Sequence, residues 1–151
     1  IDSKEIKGRI IETEAYVGEG DKACHARHGK TKRNEVMWGE AGRAYIYLCM
    51  GLHNLLNIVT DKEGFPAAVL IRKIEPLSGF DLKLKSYGPG NLTKYLQIDR
   101  SLNGIDLTKS DQLFIIDDGS DIKSKNIVAL PRVGIDYAEE DKDLPWRFVL
   151  K

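Results

Sequence analysis

Ile6-Lys7-Gly8-Arg9-Ile10-Ile11-Glu12-Thr13-Glu14-Ala15-Tyr16 decides how the chain folds. Its β-branched residues, Ile6, Ile10, Ile11 and Thr13, suit a pleated, half-buried surface, so residues 6–16 are expected to form a strand. Side chains alternate along a strand, which puts Glu12, Glu14 and Tyr16 on one face. Two carboxylates and a phenol on one face admit two readings. A carboxylate turned toward an aromatic, poorly hydrated surface binds its proton more tightly and can serve as a general base. An exposed face of Glu paired with Lys needs no function at all.

Working outward, residues 18–42 hold five glycines and many charges and read as loop. Residues 43–50 alternate, with Tyr45, Tyr47 and Cys49 on one side and Ala44, Ile46 and Leu48 on the other. A second apolar run covers residues 54–60. The short Met50-Gly51-Leu52-His53 link predicts a hairpin, because Gly51 tolerates a positive φ. Residues 67–74 predict a third strand, closed by Pro76 and Gly79. Gly88-Pro89-Gly90-Asn91 predicts a turn, with Asn91 as N-cap of a short helix carrying Leu92, Leu96 and Ile98. Residues 112–116 and 126–130 predict two more strands, and residues 131–137 and 146–150 complete the core. There is no repeat, linker or low-complexity tract. The expectation is one α+β domain over residues 1–151, strand-dominated, with a curved antiparallel sheet, a protruding β-hairpin and short helices.

Composition bounds the function. The chain has 151 residues, 42% of them hydrophobic and 30% charged, enough for one domain that buries roughly 70% of its unfolded surface. Lys plus Arg and Asp plus Glu both number 23, which excludes a wholly basic, histone-like protein but not a local basic face. The most apolar stretch, residues 45–59, is broken by His53, Asn54 and Asn57 and is too short and polar to span a bilayer. Asp2, Lys4, Glu5 and Lys7 exclude a signal-peptide core at the start of this sequence. Cys24 and Cys49 form no C-x-x-C pair, which fits a reducing, intracellular setting.

Within this neutral chain, Lys22, Arg27, Lys30, Lys32 and Arg33 lie in a stretch without an acid, accompanied by His25 and His28. A flexible basic loop suits phosphate-backbone contacts; it equally suits a solvated surface. Cys24, His25 and His28 lack a second Cys/His cluster to complete four ligands, so a zinc site is disfavoured. Cys24 as a nucleophile with His25 is weaker still, since adjacent residues of an extended chain point apart. Tyr45 and Tyr47 share a face, with Asn57 opposite if the hairpin forms. Aromatic faces stack on bases and an amide reads a base edge, although a plain cross-strand aromatic cluster looks the same. Gly88-Pro89-Gly90 before a helix fits a phosphate contact or, more commonly, a capped turn.

Taken in order, these segments resemble the alkyladenine (3-methyladenine) DNA glycosylase family, of the mixed rather than the helical type. The matching stretches are Gly8 to Tyr16 as quoted, Thr31-Lys32-Arg33-Asn34, Gly42-Arg43-Ala44-Tyr45-Ile46-Tyr47-Leu48 and Asn57-Ile58-Val59-Thr60. They continue with Pro66-Ala67-Ala68-Val69-Leu70-Ile71-Arg72, Glu75-Pro76-Leu77, Gly88-Pro89-Gly90 and Pro131-Arg132-Val133-Gly134-Ile135-Asp136-Tyr137. The resemblance implies an enzyme that flips alkylated or deaminated purines out of duplex DNA. It would hydrolyse the N-glycosidic bond with water, without lyase activity, metal or cofactor. It implies Glu14 as the general base, with Arg72 and the backbone carbonyl of Val133 helping to hold the water. Tyr16, His25 and Tyr47 would enclose the base, and Asn57 would crowd the exocyclic amine of guanine. An electron-rich aromatic slot suits alkylated purines that carry positive charge.

The sequence departs from the family at three places. Met50 stands at the hairpin tip, where the family has a Tyr that intercalates into the gap left by the flipped nucleotide. The family's helix-rich N-terminal segment is absent before Ile1, and the last strand is cut at Lys151, so the chain is expected to be trimmed at both ends. Residues between Phe80 and Gly88 are several positions short. The expected partner is damaged double-stranded DNA, the expected state a monomer away from membranes. The expected location is the nucleus in a eukaryote or the cytoplasm in a bacterium. Two rival readings are a DNA-binding module of the same fold with weak catalysis, and a metal-dependent hydrolase built on His25 and His28.

Overall fold

The computed structural model describes residues 5–80 and 88–151. The shortened stretch expected between Phe80 and Gly88 falls on residues 81–87, and part of the polar start on residues 1–4; both lie outside the described residues. Six strands form one antiparallel sheet: β1 (Lys7–Val17), β2 (Ala44–Cys49), β3 (His53–Val59), β4 (Ala67–Ser78), β5 (Ile127–Leu130) and β6 (Arg147–Leu150). Their order in the sheet is β2-β3-β4-β1-β6-β5. Among the described residues, one α-helix, α1 (Pro89–Tyr95), and short 3-10 turns complete a strand-dominated α+β fold.

The two faces of the sheet bury different chemistry. Ala44 and Ile46 of β2, Leu56 of β3 and Ile71 and Ile74 of β4 pack with Leu92, Ile98 and Leu107 into an apolar core. The other face buries Tyr45, Val59 and Ala68 against Cys24, Ala26 and Met37 of the long loop. Strand alternation thus divides β2 between a dry core and an aromatic, partly polar layer.

Two irregularities place the charged residues of β1 and β4. Ile10 pairs with Ile74 but Glu12 with Lys73, so Ile11 is an extra residue on β1; Glu12 pairs with Lys73 but Thr13 with Ile71, so Arg72 is the extra residue on β4. Bulges of this kind re-aim a side chain without ending the pairing. A third register shift, between Lys7 and Gly8, skips Leu77 beside Pro76. It lets β4 run through the proline that was expected to close it.

The β2–β3 hairpin turns through Met50 and Gly51, both at positive φ (50° and 70°). That is the sign pattern of turns whose twist matches the flanking strands. Met50 is 89% exposed at the tip.

Two sequence expectations need correction. Asn91 is not the N-cap: the helix begins at Pro89 with Gly88 as its cap residue, because proline's fixed φ and missing N–H suit the first helical position. Residues 112–116 form no strand. Leu113 and Ile115 pack against the apolar core, and the Ile115 N–H reaches the Leu107 carbonyl at 2.9 Å. Their alternation reflects burial of a loop whose side chains cover the core. The outer edge of β2 is instead covered by residues 103–107, through Ala44 N–H to Ile105 C=O (2.9 Å), Gly104 N–H to Ala44 C=O (2.7 Å) and Ile46 N–H to the Asn103 side chain (2.8 Å).

Helix α1 meets β3 closely. A Cβ added at Gly90 would lie 2.7 Å from His53 Cγ and 2.8 Å from His53 Cβ. In an open helix Gly→Ala stabilises by about 1 kcal/mol. Here the sign should reverse: Gly90→Ala must push α1 off the hairpin base, at a cost of about 1–3 kcal/mol. Urea unfolding of both proteins checks this; a gain in stability would place α1 elsewhere.

Candidate active site

A cavity of about 350 Å³ opens on the aromatic face of the sheet, lined by residues of β1 to β4, of the long loop and of the segment after β5. Its size lies at the lower end of ordinary ligand pockets. At its floor is Glu14, whose side chain has no exposed surface. Burying a carboxylate is costly unless donors meet it. Three do. Tyr16 donates its hydroxyl to Oε2 at 2.8 Å, the Val133 backbone N–H donates to Oε1 at 2.7 Å, and Arg72 Nη1 lies 3.3 Å from Oε1. Arg72 also donates from Nε to Glu12 at 2.9 Å, and Arg147 of β6 reaches the same Glu12 oxygen at 3.2 Å. Two carboxylates and two guanidiniums form one balanced cluster, assembled by the bulge that re-aims Arg72.

The walls are aromatic. His25 and Tyr47 meet edge to face at 4.4 Å between ring centroids, and Tyr45 lies 5.5 Å from Tyr47. His25 Nδ1 is 2.8 Å from the Tyr45 hydroxyl, which fixes the imidazole plane. Burial, helped by Arg33 and Arg27, pushes the His25 imidazole down to about 4, so it is neutral at pH 7. Burial also pushes the Tyr16 and Tyr47 phenols far up, and Tyr45 up to about 12, so all three keep their protons. Asn57, 2% exposed, donates Nδ2 to the carbonyls of Tyr45 (3.1 Å) and Leu55 (3.3 Å). Those two bonds hold its amide in one plane at the cavity wall.

All seven residues expected around the reacting base — Glu14, Tyr16, His25, Tyr47, Asn57, Arg72 and Val133 — line this one cavity. The Val133 contact that the structure gives is made by its amide N–H, which donates to the Glu14 carboxylate. Met50 is at the cavity rim.

The basic stretch divides. Lys30 and Lys32 are exposed, and neither meets an acid within ion-pair distance among the described residues. Lys22 is held by Glu139 and Glu140 of the segment Asp136–Asp143, with the Glu140 carboxylate at 2.8 Å. Arg27 packs over the Tyr137 ring at 5.1 Å and donates to the Lys22 carbonyl at 2.6 Å. Arg33 lies over the Tyr47 ring at 5.6 Å and also lines the cavity. The acids that engage Lys22 come from more than a hundred residues away, beyond any local reading of the stretch.

Other supporting roles escaped the sequence reading. Asn34, 1% exposed, donates to the carbonyls of His25 and Gly29 (3.0 Å each) and accepts from Thr31 N–H (2.7 Å), which holds the loop that presents His25. Tyr45 orients His25. Asp21 and Arg132 pair behind the cavity at 2.6 Å. Among the described residues, no group of three or more His, Cys, Asp and Glu side chains is placed to hold a metal. No helix among them is long and apolar enough to cross a membrane.

A family model described as "Methylpurine-DNA glycosylase (MPG)" matches residues 1–151. A protein of Methanocella arvoryzae named "Putative 3-methyladenine DNA glycosylase" is 50% identical, covering 93% of this chain and 74% of its own length. A protein of the same name from Desulfitobacterium hafniense is 45% identical over 100% of this chain and 82% of its own. Another from Legionella pneumophila is 44% identical over 95% and 76%.

The half-buried His25 gives a pH signature. Its imidazole takes a proton near pH 6.5 in the unfolded chain and only near 4 in the fold. The unfolded state therefore binds the extra proton first as pH falls. Its stabilising contribution is complete above about 6.5 and is lost progressively down to about 4. Urea midpoints measured between pH 7 and 4.5 should fall more steeply for the wild type than for His25→Gln. Parallel curves would put His25 in a hydrated site.

Proposed function

Because the chain belongs to the methylpurine-DNA glycosylase family and is a DNA glycosylase for alkylated bases of the 3-methyladenine type, we propose that it flips alkylated or deaminated purines into the cavity described above. There Glu14 activates a water that displaces the base. The observation that carries this reading is the convergence of Tyr16, Val133 and Arg72 on one buried carboxylate at the floor of an aromatic slot.

The steps follow from the side chains. A flipped purine stacks among Tyr16, His25 and Tyr47, whose electron-rich faces favour a cationic alkylated base. The neutral His25 neither repels such a base nor loses its bond to Tyr45. Asn57, fixed by two backbone carbonyls, crowds the position of a guanine amine. Glu14 takes the proton of the attacking water, and Arg72 together with the backbone at Val133 orients that water. The glycosidic bond breaks with its electrons leaving on the purine, and oxygen bonds to the sugar carbon. Hydrolysis by water requires no Schiff base, so the strand stays intact. Lys30, Lys32 and, once freed from its acids, Lys22 meet phosphates along with Arg27 and Arg33, while Met50 enters the gap left in the duplex. The protein acts as a monomer, and in bacterial and archaeal cells the place of work is the cytoplasm, where the DNA lies.

Base release from a duplex carrying one hypoxanthine or 1,N6-ethenoadenine, in excess chelator, tests the reading. Release is expected from the wild type, and Glu14→Gln should lower the single-turnover rate by about 10²–10⁴ while leaving duplex affinity intact. An unchanged rate would remove Glu14 as the base, and binding without any release would favour the DNA-binding module.

Met50 has its own test. Aromatic stacking on a base contributes about 1–3 kcal/mol, more than a flexible thioether should give. Met50→Tyr should therefore tighten binding to an abasic-site duplex at fixed salt. Equal affinities would take the hairpin tip out of the DNA interface.

A further inference from the structure

Arg132 is buried behind the cavity and does not line it. Its side chain and that of Asp21 have no exposed surface. The guanidinium grips Asp21 with both terminal nitrogens, Nη1 to Oδ2 at 2.6 Å and Nη2 to Oδ1 at 2.9 Å. Nη1 also donates to the Ala15 carbonyl at 2.9 Å and Nη2 to the Asp141 carbonyl at 3.3 Å. Each terminal nitrogen thus holds two acceptors, while Nε meets none among the described residues.

This one group bears on two of the three donors that grip Glu14, Tyr16 and the Val133 amide. Its Cζ lies 4.9 Å from the centroid of the Tyr16 ring, which donates to Glu14, and 5.0 Å from the ring of Trp146. It is bonded to the carbonyl of Ala15, the residue between Glu14 and Tyr16. The next residue after it, Val133, supplies the amide that donates to Glu14 Oε1. Asp21, in turn, accepts from the backbone N–H of Val17 (3.1 Å) and of Ala23 (2.9 Å), so the pair also fixes the start of the loop that carries His25. A planar fork with fixed donor directions can hold strand, loop and ring in one mutual geometry; an ammonium cannot.

We infer that the Arg132–Asp21 pair is the positioning element of the base slot, holding Tyr16 and the Val133 amide where they grip Glu14 and where Tyr16 stacks on the flipped purine. This rests on the function proposed above. Arg132 never touches the substrate. Its removal leaves Lys30, Lys32 and the hairpin tip in place and misplaces the general base and the stacking wall. A misplacement of about 1 Å at a reacting group costs about 10²-fold in rate.

The test compares wild type, Arg132→Lys, Arg132→Met and the double variant Arg132→Met/Asp21→Asn. Two quantities are measured: the single-turnover rate of hypoxanthine release at saturating protein, and affinity for an abasic-site duplex, which has no base to occupy the slot. Near-UV circular dichroism reports folding. Arg132→Met strands a buried acid, so where it fails to fold, the double variant, with no charge left unpaired, decides the matter. The expected result is a rate about 10²-fold below wild type with abasic-site affinity unchanged, and partial recovery in Arg132→Lys. A folded double variant that releases base at the wild-type rate overturns the inference and leaves the proposed function standing, as does an equal loss of rate and affinity. A wild type that releases no base overturns the proposed function and the inference with it.

Discussion

The structure depends on a carboxylate with no exposed surface. Glu14 is buried in the third strand from one edge of a six-stranded sheet, and such a group is tolerable only where donors surround it. Those donors come from three places in the chain: Tyr16 two residues on, Arg72 at a bulge in β4 and Val133 after β5; Arg147 in β6 meets the neighbouring Glu12, which Arg72 also holds. Satisfying this acid and its neighbour Glu12 pins the mutual arrangement of β1, β4, β6 and the segment at 131–133. The cavity is the space that remains on the aromatic face once that arrangement is fixed.

Much of this was legible in the sequence because it is local. β-branched residues and alternation announce β1 and both strands of the hairpin, and Gly51 announces the turn between them. Alternation alone puts Glu14 with Tyr16 and Tyr45 with Tyr47, and the hairpin register then sets Tyr45 opposite Asn57. The ordered set of segments resembled a DNA glycosylase, and the family match over residues 1–151 agrees. The bulges were not legible, since nothing in Glu75-Pro76-Leu77 or around Arg72 marks which residue is left unpaired. Nor was the Asp21–Arg132 pair, whose members lie 111 positions apart. The misread strand at 112–116 has a related cause. Burial alternates in a loop laid on a core just as it does in a strand, and the difference is whether a neighbour offers its backbone.

Charge shows the same limit. The stretch from Lys22 to Asn34 contains no acid, yet Glu139 and Glu140 cover Lys22, while Arg27 and Arg33 lie on the rings of Tyr137 and Tyr47. Lys30 and Lys32 stand as the sequence suggests, exposed and with no acid within ion-pair distance among the described residues. The loop is thus partly an extension of the aromatic layer, which connects the surface that would meet phosphate to the slot that would hold a base.

The most direct measurement is a crystal structure of the Glu14→Gln protein bound to a duplex carrying one 1,N6-ethenoadenine. The expected result is the lesion turned out of the helix and stacked among Tyr16, His25 and Tyr47, with an ordered water within hydrogen-bond reach of residue 14 and Arg72. A lesion left in the base stack, or bound outside this cavity with Glu14 remote from its glycosidic bond, would contradict it.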